Sequence, residues 1–218
     1  MIQGQHANFP ASQPPAEIDI QTITTYSTPT TDITVDNKQR LKELLLEKSY
    51  RKGTFTLSSG RQSDFYIDGK QTTLDAEGAY LCGTLLFDLI RNHQDPIAAV
   101  GGMTLGADPL VTAISLVSYL EKNPIPAFIV RKEAKGHGTA AYLEGQKNLP
   151  PGCSVALVED VVTSGDTLLK VIDRVEAQGF KVGLVATVVD RQEGGAETLA
   201  AKGYPLKALF TRAELLAE

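Results

Sequence analysis

The stretch Ser154-Val155-Ala156-Leu157-Val158-Glu159-Asp160-Val161-Val162-Thr163-Ser164-Gly165-Asp166-Thr167-Leu168-Leu169 decides how the chain folds. The run 155–158 is short and apolar, which is the pattern of a strand buried on both faces in a parallel sheet. Glu159 and Asp160 close the run, and successive strand side chains point to opposite faces. This puts two carboxylates at the strand's carboxyl end, where open α/β sheets bind ligands. The small, mostly hydroxylated residues Thr163-Ser164-Gly165-Asp166-Thr167 follow, and Gly165 lets backbone amides approach an anion closely. A helix is predicted over 168–178, stopped by Gly179. Small donors at a helix N-terminus make a phosphate site. A phosphate cradle beside two acids points to a sugar phosphate, with the acids on its hydroxyls or on a metal. The loop is neither a P-loop, which needs Gly-Lys-Ser/Thr, nor a dinucleotide fingerprint.

Outward from this stretch, strands alternate with helices. Strands are predicted at 97–100, running into Gly101-Gly102, and at 127–130, 181–189 and 206–210. Helices are predicted from an Asp75 cap to about 93, from Asp108-Pro109 to about 122, and over 195–202, with a Thr211/Glu214 capping box opening the last one. The alternation implies a sheet of about five parallel core strands with right-handed crossovers and flanking helices. Asp36 reads as the cap of a first helix carrying Leu41, Leu44, Leu45 and Tyr50. Segments 53–57 and 64–68 read as a hairpin outside the main sheet, forming a small hood at about 50–70. Residues 1–34 are rich in Gln, Thr, Ser and Pro without a sustained apolar period, the composition of a disordered or loosely attached extension ahead of a domain at 35–218.

Composition narrows the function. The 218 residues suit one domain plus that extension. A net charge of −5 gives no global attraction to nucleic acid or anionic membranes, so an anionic ligand must meet a local basic patch. Cys82 and Cys153 fit no metal or redox spacing and read as reduced packing residues of a cytoplasmic protein. No apolar run is long enough for a membrane span. No Lys or Arg precedes Lys38, whereas secretory and transit leaders need early positive charge.

The local basic patch is Arg131-Lys132-Glu133-Ala134-Lys135-Gly136-His137-Gly138, placed directly after a predicted strand. A charge run is usually a solvated face. Here the glycines imply a mobile loop, and such loops close over phosphates and place charge on a leaving group. Arg191, in Asp190-Arg191-Gln192-Glu193, follows the next-to-last predicted strand at the same sheet edge. Its bland reading is an ion pair with Asp190 or Glu193.

The 155–167 stretch resembles the phosphoribosyl-pyrophosphate (PRPP) motif of type I phosphoribosyltransferases. The 131–138 segment is similar to the catalytic loop of orotate phosphoribosyltransferases, Arg-Lys-Glu-x-Lys-x-His-Gly, a much narrower pattern. Residues 55–60 with Ser63, Phe65, Tyr66 and Asp68 resemble that family's hood, and the likeness runs from about 36 to 218. The resemblance implies transfer of ribose 5-phosphate from PRPP to orotate, giving orotidine 5′-monophosphate and pyrophosphate in pyrimidine synthesis.

It implies PRPP contacts from Arg131, Lys132, Lys135, His137, Glu159, Asp160, Val161, Val162, Thr163, Ser164, Gly165, Asp166 and Thr167, with Lys135, His137 and Asp160 catalytic. Orotate contacts would come from Phe65, Tyr66, Thr163 and Arg191, with Arg191 on the orotate carboxylate. Phe65 and Tyr66 face opposite sides, so one of them lines the site. Mg²⁺ would arrive with PRPP, with Asp160 as its one candidate protein ligand. A homodimer with shared sites is implied, the loop serving the neighbouring subunit. Two positions depart from some relatives, which carry lysine where Ser58 and Leu105 stand; the second would leave a pyrophosphate contact to the backbone from Gly102 to Leu105, beside Thr104. Another base specificity, purine included, or a PRPP-sensing regulator stays open. Arg191 and the hood argue against the first, and the lack of a basic stripe against the second.

Overall fold

The central strand outruns its apolar core: it spans Ser154–Val162, with both acids inside it. We describe the protein from a computed structural model, which covers residues 37–56, 62–134 and 142–217. The expected Asp36 cap and the 1–34 extension lie outside the described residues.

Helix α1 is Asn37–Leu44, followed by a π-helical turn at Leu45–Ser49. Tyr50, expected on the helix, instead opens strand β1 (Tyr50–Thr56), which pairs antiparallel with β2 (Gln62–Ile67) in a separate two-stranded sheet. This is the hood. A short helix α2 (Lys70–Thr73) leads to α3 (Ala76–Arg91), where Asp75 caps the amides of Glu77 and Gly78 as its sequence position predicts. Then come β3 (Ala99–Met103), α4 (Asp108–Leu120), β4 (Ala127–Val130) and a two-residue strand β5 (Leu143–Glu144). Strand β6 is Ser154–Val162 and α5 is Asp166–Glu176. The chain ends with β7 (Lys181–Asp190), α6 (Gly195–Ala201), β8 (Leu206–Thr211) and α7 (Arg212–Leu216), the last opened by the Thr211/Glu214 capping box.

The main sheet has six strands in the order β5-β4-β3-β6-β7-β8. Five run parallel, and β5 adds an antiparallel edge on β4. This edge is the addition to the expected sheet: two residues carry no periodicity to read. Alternating side chains of β6 feed two cores. Ala156 and Val158 pack with α3 and α4 on one face, while Val155 and Leu157 pack with α5 on the other. Such double burial explains the unbroken apolar run.

Several expected boundaries move, those of β6 and β3 among them. Strand β6 continues past the acids because Val161 and Val162 pair with Val189 and Asp190 of β7, a strand of ten residues. Gly101 and Gly102 lie inside β3 rather than after it, since a side chain at the first would collide with the Phe128 ring and at the second with the Val158 carbonyl. The chain leaves β3 toward β4 on one side and returns to β6 on the other. The crevice beyond the carboxyl ends of β3 and β6 is therefore the topological switch point.

Candidate active site

Glu159 and Asp160 stand at that switch point, each only 7% exposed. Asp160 Oδ1 accepts the Val161 amide at 2.9 Å, and Oδ2 lies 3.8 Å from Lys70 Nζ. Lys70 also holds Asp68 at 2.7 Å, which draws the Asp68 carboxyl below its usual range against the opposing effect of burial. Glu159 Oε2 is buried with no hydrogen-bond partner. Burial first, and then the neighbouring Asp160 charge, push the Glu159 carboxyl well above the usual carboxylate range. Thr187 Oγ on β7 donates to the backbone carbonyl of Glu159 at 3.0 Å and fixes the strand beneath it.

Beyond the acids, residues 163–167 turn into α5 around a cavity of about 170 Å³ lined by Glu159, by Val161 and by the loop. Gly165 has φ +84, the left-handed conformation that favours glycine. Ser164 Oγ donates to Asp166 in the first turn of α5, 2.7 Å away. The loop nests on α6: a Cβ at Gly195 would stand 2.6 Å from the Thr163 carbonyl. The helix starts two residues earlier than predicted, because this turn delivers Asp166 straight into helical geometry.

Arg191 is 4% exposed. Its amide donates to the Val162 carbonyl at 3.0 Å, which ties it to the edge of the 163–167 loop. Its guanidinium lies 4.6 Å from the centre of the Phe65 ring and pairs with Glu193 at 2.8 Å. The ion pair is thus a buried one that orients the guanidinium. Phe65 is buried, also touching the Arg212 guanidinium at 4.3 Å, while Tyr66 turns outward, 42% exposed, onto Phe55. The two aromatics do face opposite sides, and Phe65 is the one that meets Arg191.

Arg131 and Lys132 leave the end of β4, and Arg131 pairs with Glu144 of β5 at 3.1 Å. Lys135, His137 and Ser58 lie outside the described residues. Thr104 donates to Asp108 at 2.8 Å at the start of α4, and Leu105 is exposed. Glu159, Asp160, the 163–167 loop, Arg191 and Phe65 are therefore brought to one sheet edge. Sequence reading missed Lys70, Gly69 and the part Glu193 plays in orienting Arg191. The Asp68-Gly69-Lys70 triplet straight after the hood strand was the available signal for two of them.

A phosphoribosyl transferase domain profile matches residues 71–204. The orotate phosphoribosyltransferase of Nostoc sp. is 49% identical over 178 residues, covering 82% of this chain and 84% of that protein. That of Aquifex aeolicus is 44% identical over 182 residues, covering 82% and 97%. The Mycobacterium tuberculosis orotate phosphoribosyltransferase solved with PRPP superposes with a TM-score of 0.66 at 35% identity, covering 82% of this chain and 98% of that one. With the sheet order, the acidic pair and the small-residue loop at 163–167, these likenesses place the chain: it belongs to the orotate phosphoribosyltransferases, pentosyltransferases of the type I fold.

Proposed function

We propose that the enzyme transfers ribose 5-phosphate from PRPP to orotate, releasing pyrophosphate, as a cytoplasmic homodimer in pyrimidine synthesis. The observation that carries the choice of base is Arg191. A planar cation is buried at the end of β7, oriented by Phe65 and Glu193, and bonded through its amide to Val162 at the edge of the phosphate loop. Such a group suits a planar carboxylate on a base held beside a ribose 5-phosphate.

In this reading the amides and hydroxyls of residues 163–167 hold the 5′-phosphate. Glu159 and Asp160 hold the ribose hydroxyls; the partnerless Glu159 Oε2 is a polar atom that a ligand hydroxyl would satisfy. Orotate attacks the anomeric carbon with its own ring nitrogen, so no protein nucleophile is needed. Arg131, Lys132, Lys135 and His137 meet the charge that grows on the departing pyrophosphate.

The donor set fits Mg²⁺ carried in by substrate oxygens, with Asp160 as the candidate contact, since magnesium is usually held by one or two carboxylates plus phosphates. Among the described residues no cluster of three His, Cys, Asp or Glu side chains could hold a metal alone. When bound, the ion would neutralise pyrophosphate charge. The 131–138 loop serves the neighbouring subunit, and residues 1–34 stand outside the catalytic domain. No described helix is long and apolar enough to cross a membrane.

The face that supports dimerisation is an apolar groove of about 700 Å³ between α3 and α4, lined by Tyr80, Leu116 and Leu120 and ending at Lys70 and Leu105. An exposed apolar surface of this kind marks an association site, and its Lys70 end lies 3.8 Å from Asp160.

The test supplies PRPP, Mg²⁺ and one base at a time and follows loss of the base's ultraviolet absorption. Orotate is consumed; uracil, adenine and hypoxanthine are not. Uracil lacks the carboxylate and leaves Arg191 without its ligand partner. Equal turnover of uracil and orotate would overturn the assignment.

A further inference from the structure

The basic segment that leaves β4 is fastened from behind by a residue that no motif marks. Arg174 sits on α5, the helix whose first turn completes the phosphate loop. Its guanidinium donates to the carbonyl of Arg131 at 2.7 Å and to that of Lys132 at 3.1 Å. The same group lies 4.3 Å from the centre of the Tyr142 ring, where the described chain resumes. The Tyr142 carbonyl in turn accepts the Arg131 amide at 2.8 Å. Arg174 also reaches the sulfur of Met103, the last residue of β3, at 3.7 Å. One side chain thus ties the outgoing limb, the returning limb and the end of β3 to the phosphate-loop helix.

We propose that Arg174 is a positioning residue for pyrophosphate binding, setting where Arg131 and Lys132 stand as the basic segment leaves β4. The inference rests on the reading that those two cations meet the pyrophosphate. Strand β4 ends at Val130, and its edge partner β5 is two residues long. Little regular pairing therefore holds the two residues that follow. A planar guanidinium can serve two adjacent carbonyls at once, with charge-assisted bonds, where an ammonium acts as a single point charge. Arg174 lies eight residues into the same helix as Asp166, so the rigid body of α5 carries it about 12 Å along the axis from the 163–167 loop.

A merely structural Arg174 would weaken every ligand together when replaced, whereas a positioning one weakens pyrophosphate alone. Isothermal titration of the full chain with magnesium pyrophosphate and, separately, with ribose 5-phosphate distinguishes them. Arg174→Met keeps the side-chain bulk and removes the donors. It should weaken pyrophosphate about tenfold, the scale of a small misplacement of binding groups, and leave ribose 5-phosphate within about twofold. Arg174→Lys should recover part of the loss. In turnover, KM for PRPP should rise while KM for orotate holds.

Unchanged pyrophosphate affinity, or equal weakening of both ligands, overturns the proposal. Should circular dichroism show Arg174→Met unfolded, Arg174→Lys takes its place in the same two titrations. A loss confined to pyrophosphate then supports the positioning role, and no loss or an equal loss overturns it. Wild-type protein that binds both ligands yet leaves orotate untouched would defeat the functional reading while the titrations still decide Arg174. Wild-type protein that binds no pyrophosphate defeats both.

Discussion

Gly69 is pressed against Asp160: a Cβ added at Gly69 would stand 2.8 Å from the Asp160 Oδ2 and 2.9 Å from its Cβ. Gly69 has φ −55 and ψ −30, which any residue adopts, so glycine is required there for space and not for conformation. The hood strand β2 therefore reaches the acidic pair through a contact that leaves no room for a methyl group. Gly69→Ala should displace the Asp160 carboxylate. We expect kcat/KM to fall about ten- to a hundredfold, as for a misplaced catalytic contact, while overpacking costs only about 1–2 kcal/mol of stability. Steady-state kinetics beside urea denaturation separate the two effects. Wild-type turnover in the alanine variant would mean that Asp160 can move without consequence.

Glu159 should make the fold less stable as pH rises. Its carboxyl is held above the usual range by burial and by Asp160, so the native state holds the proton more tightly than the unfolded chain does. The favourable contribution is complete below the unfolded carboxylate value and is lost as pH rises through the higher native value. Glu159→Gln, which stays neutral, should match the wild type near pH 4 and be the more stable of the two at pH 8. Chemical denaturation of both proteins at the two pH values checks this. A glutamine variant that gains nothing between them would refute the sign.

Arg191→Lys should fail to conserve function. The guanidinium is stacked on Phe65 and paired with Glu193 at one site, and an ammonium cannot reproduce a planar two-pronged partner. We expect kcat/KM for orotate to fall by about two orders of magnitude, the scale of losing one well-aimed charged contact. The binding of PRPP alone should hold. A lysine variant within threefold of wild type would remove Arg191 from orotate recognition.

Much of this fold is legible in the sequence because it is local. The apolar run 155–158, its acids and its small-residue loop state a strand, a sheet edge and a turn into a helix within sixteen residues, and β3 and β7 on either side of it follow the βα alternation. What escapes reading is tertiary. Nothing in the sequence sets Arg174 beside Arg131, since the two lie 43 positions apart and meet only because α5 packs across the end of β4. Gly69 and Gly106 look like ordinary turn glycines, yet Glu159 and Asp160 crowd the space where the Gly106 side chain would stand. Strand β5 owes its existence to the free edge of β4 rather than to its own two residues.

Tyr80 and Leu116 are 57% and 60% exposed on the α3–α4 groove, and an apolar face this open is covered in the dimer we propose. Leu116→Glu should yield monomers on gel filtration, and those monomers should be nearly inactive, because the 131–138 loop then has no neighbouring site to serve. Mixing tests the sharing directly. Lys135→Ala and Arg191→Ala, each nearly inactive alone, are unfolded together and refolded. In a mixed dimer the Lys135→Ala subunit keeps its own Arg191 and receives an intact loop from its partner, so one site is whole and the other carries both lesions. Random pairing makes about half of the dimers mixed, so activity should return to roughly a quarter of wild type. If Lys135 served its own subunit, every site would carry a lesion and mixing would restore nothing. Recovery near zero, with mixed dimers verified by native mass spectrometry, would therefore exclude the shared site, and a Leu116→Glu protein that stays dimeric would place the interface elsewhere.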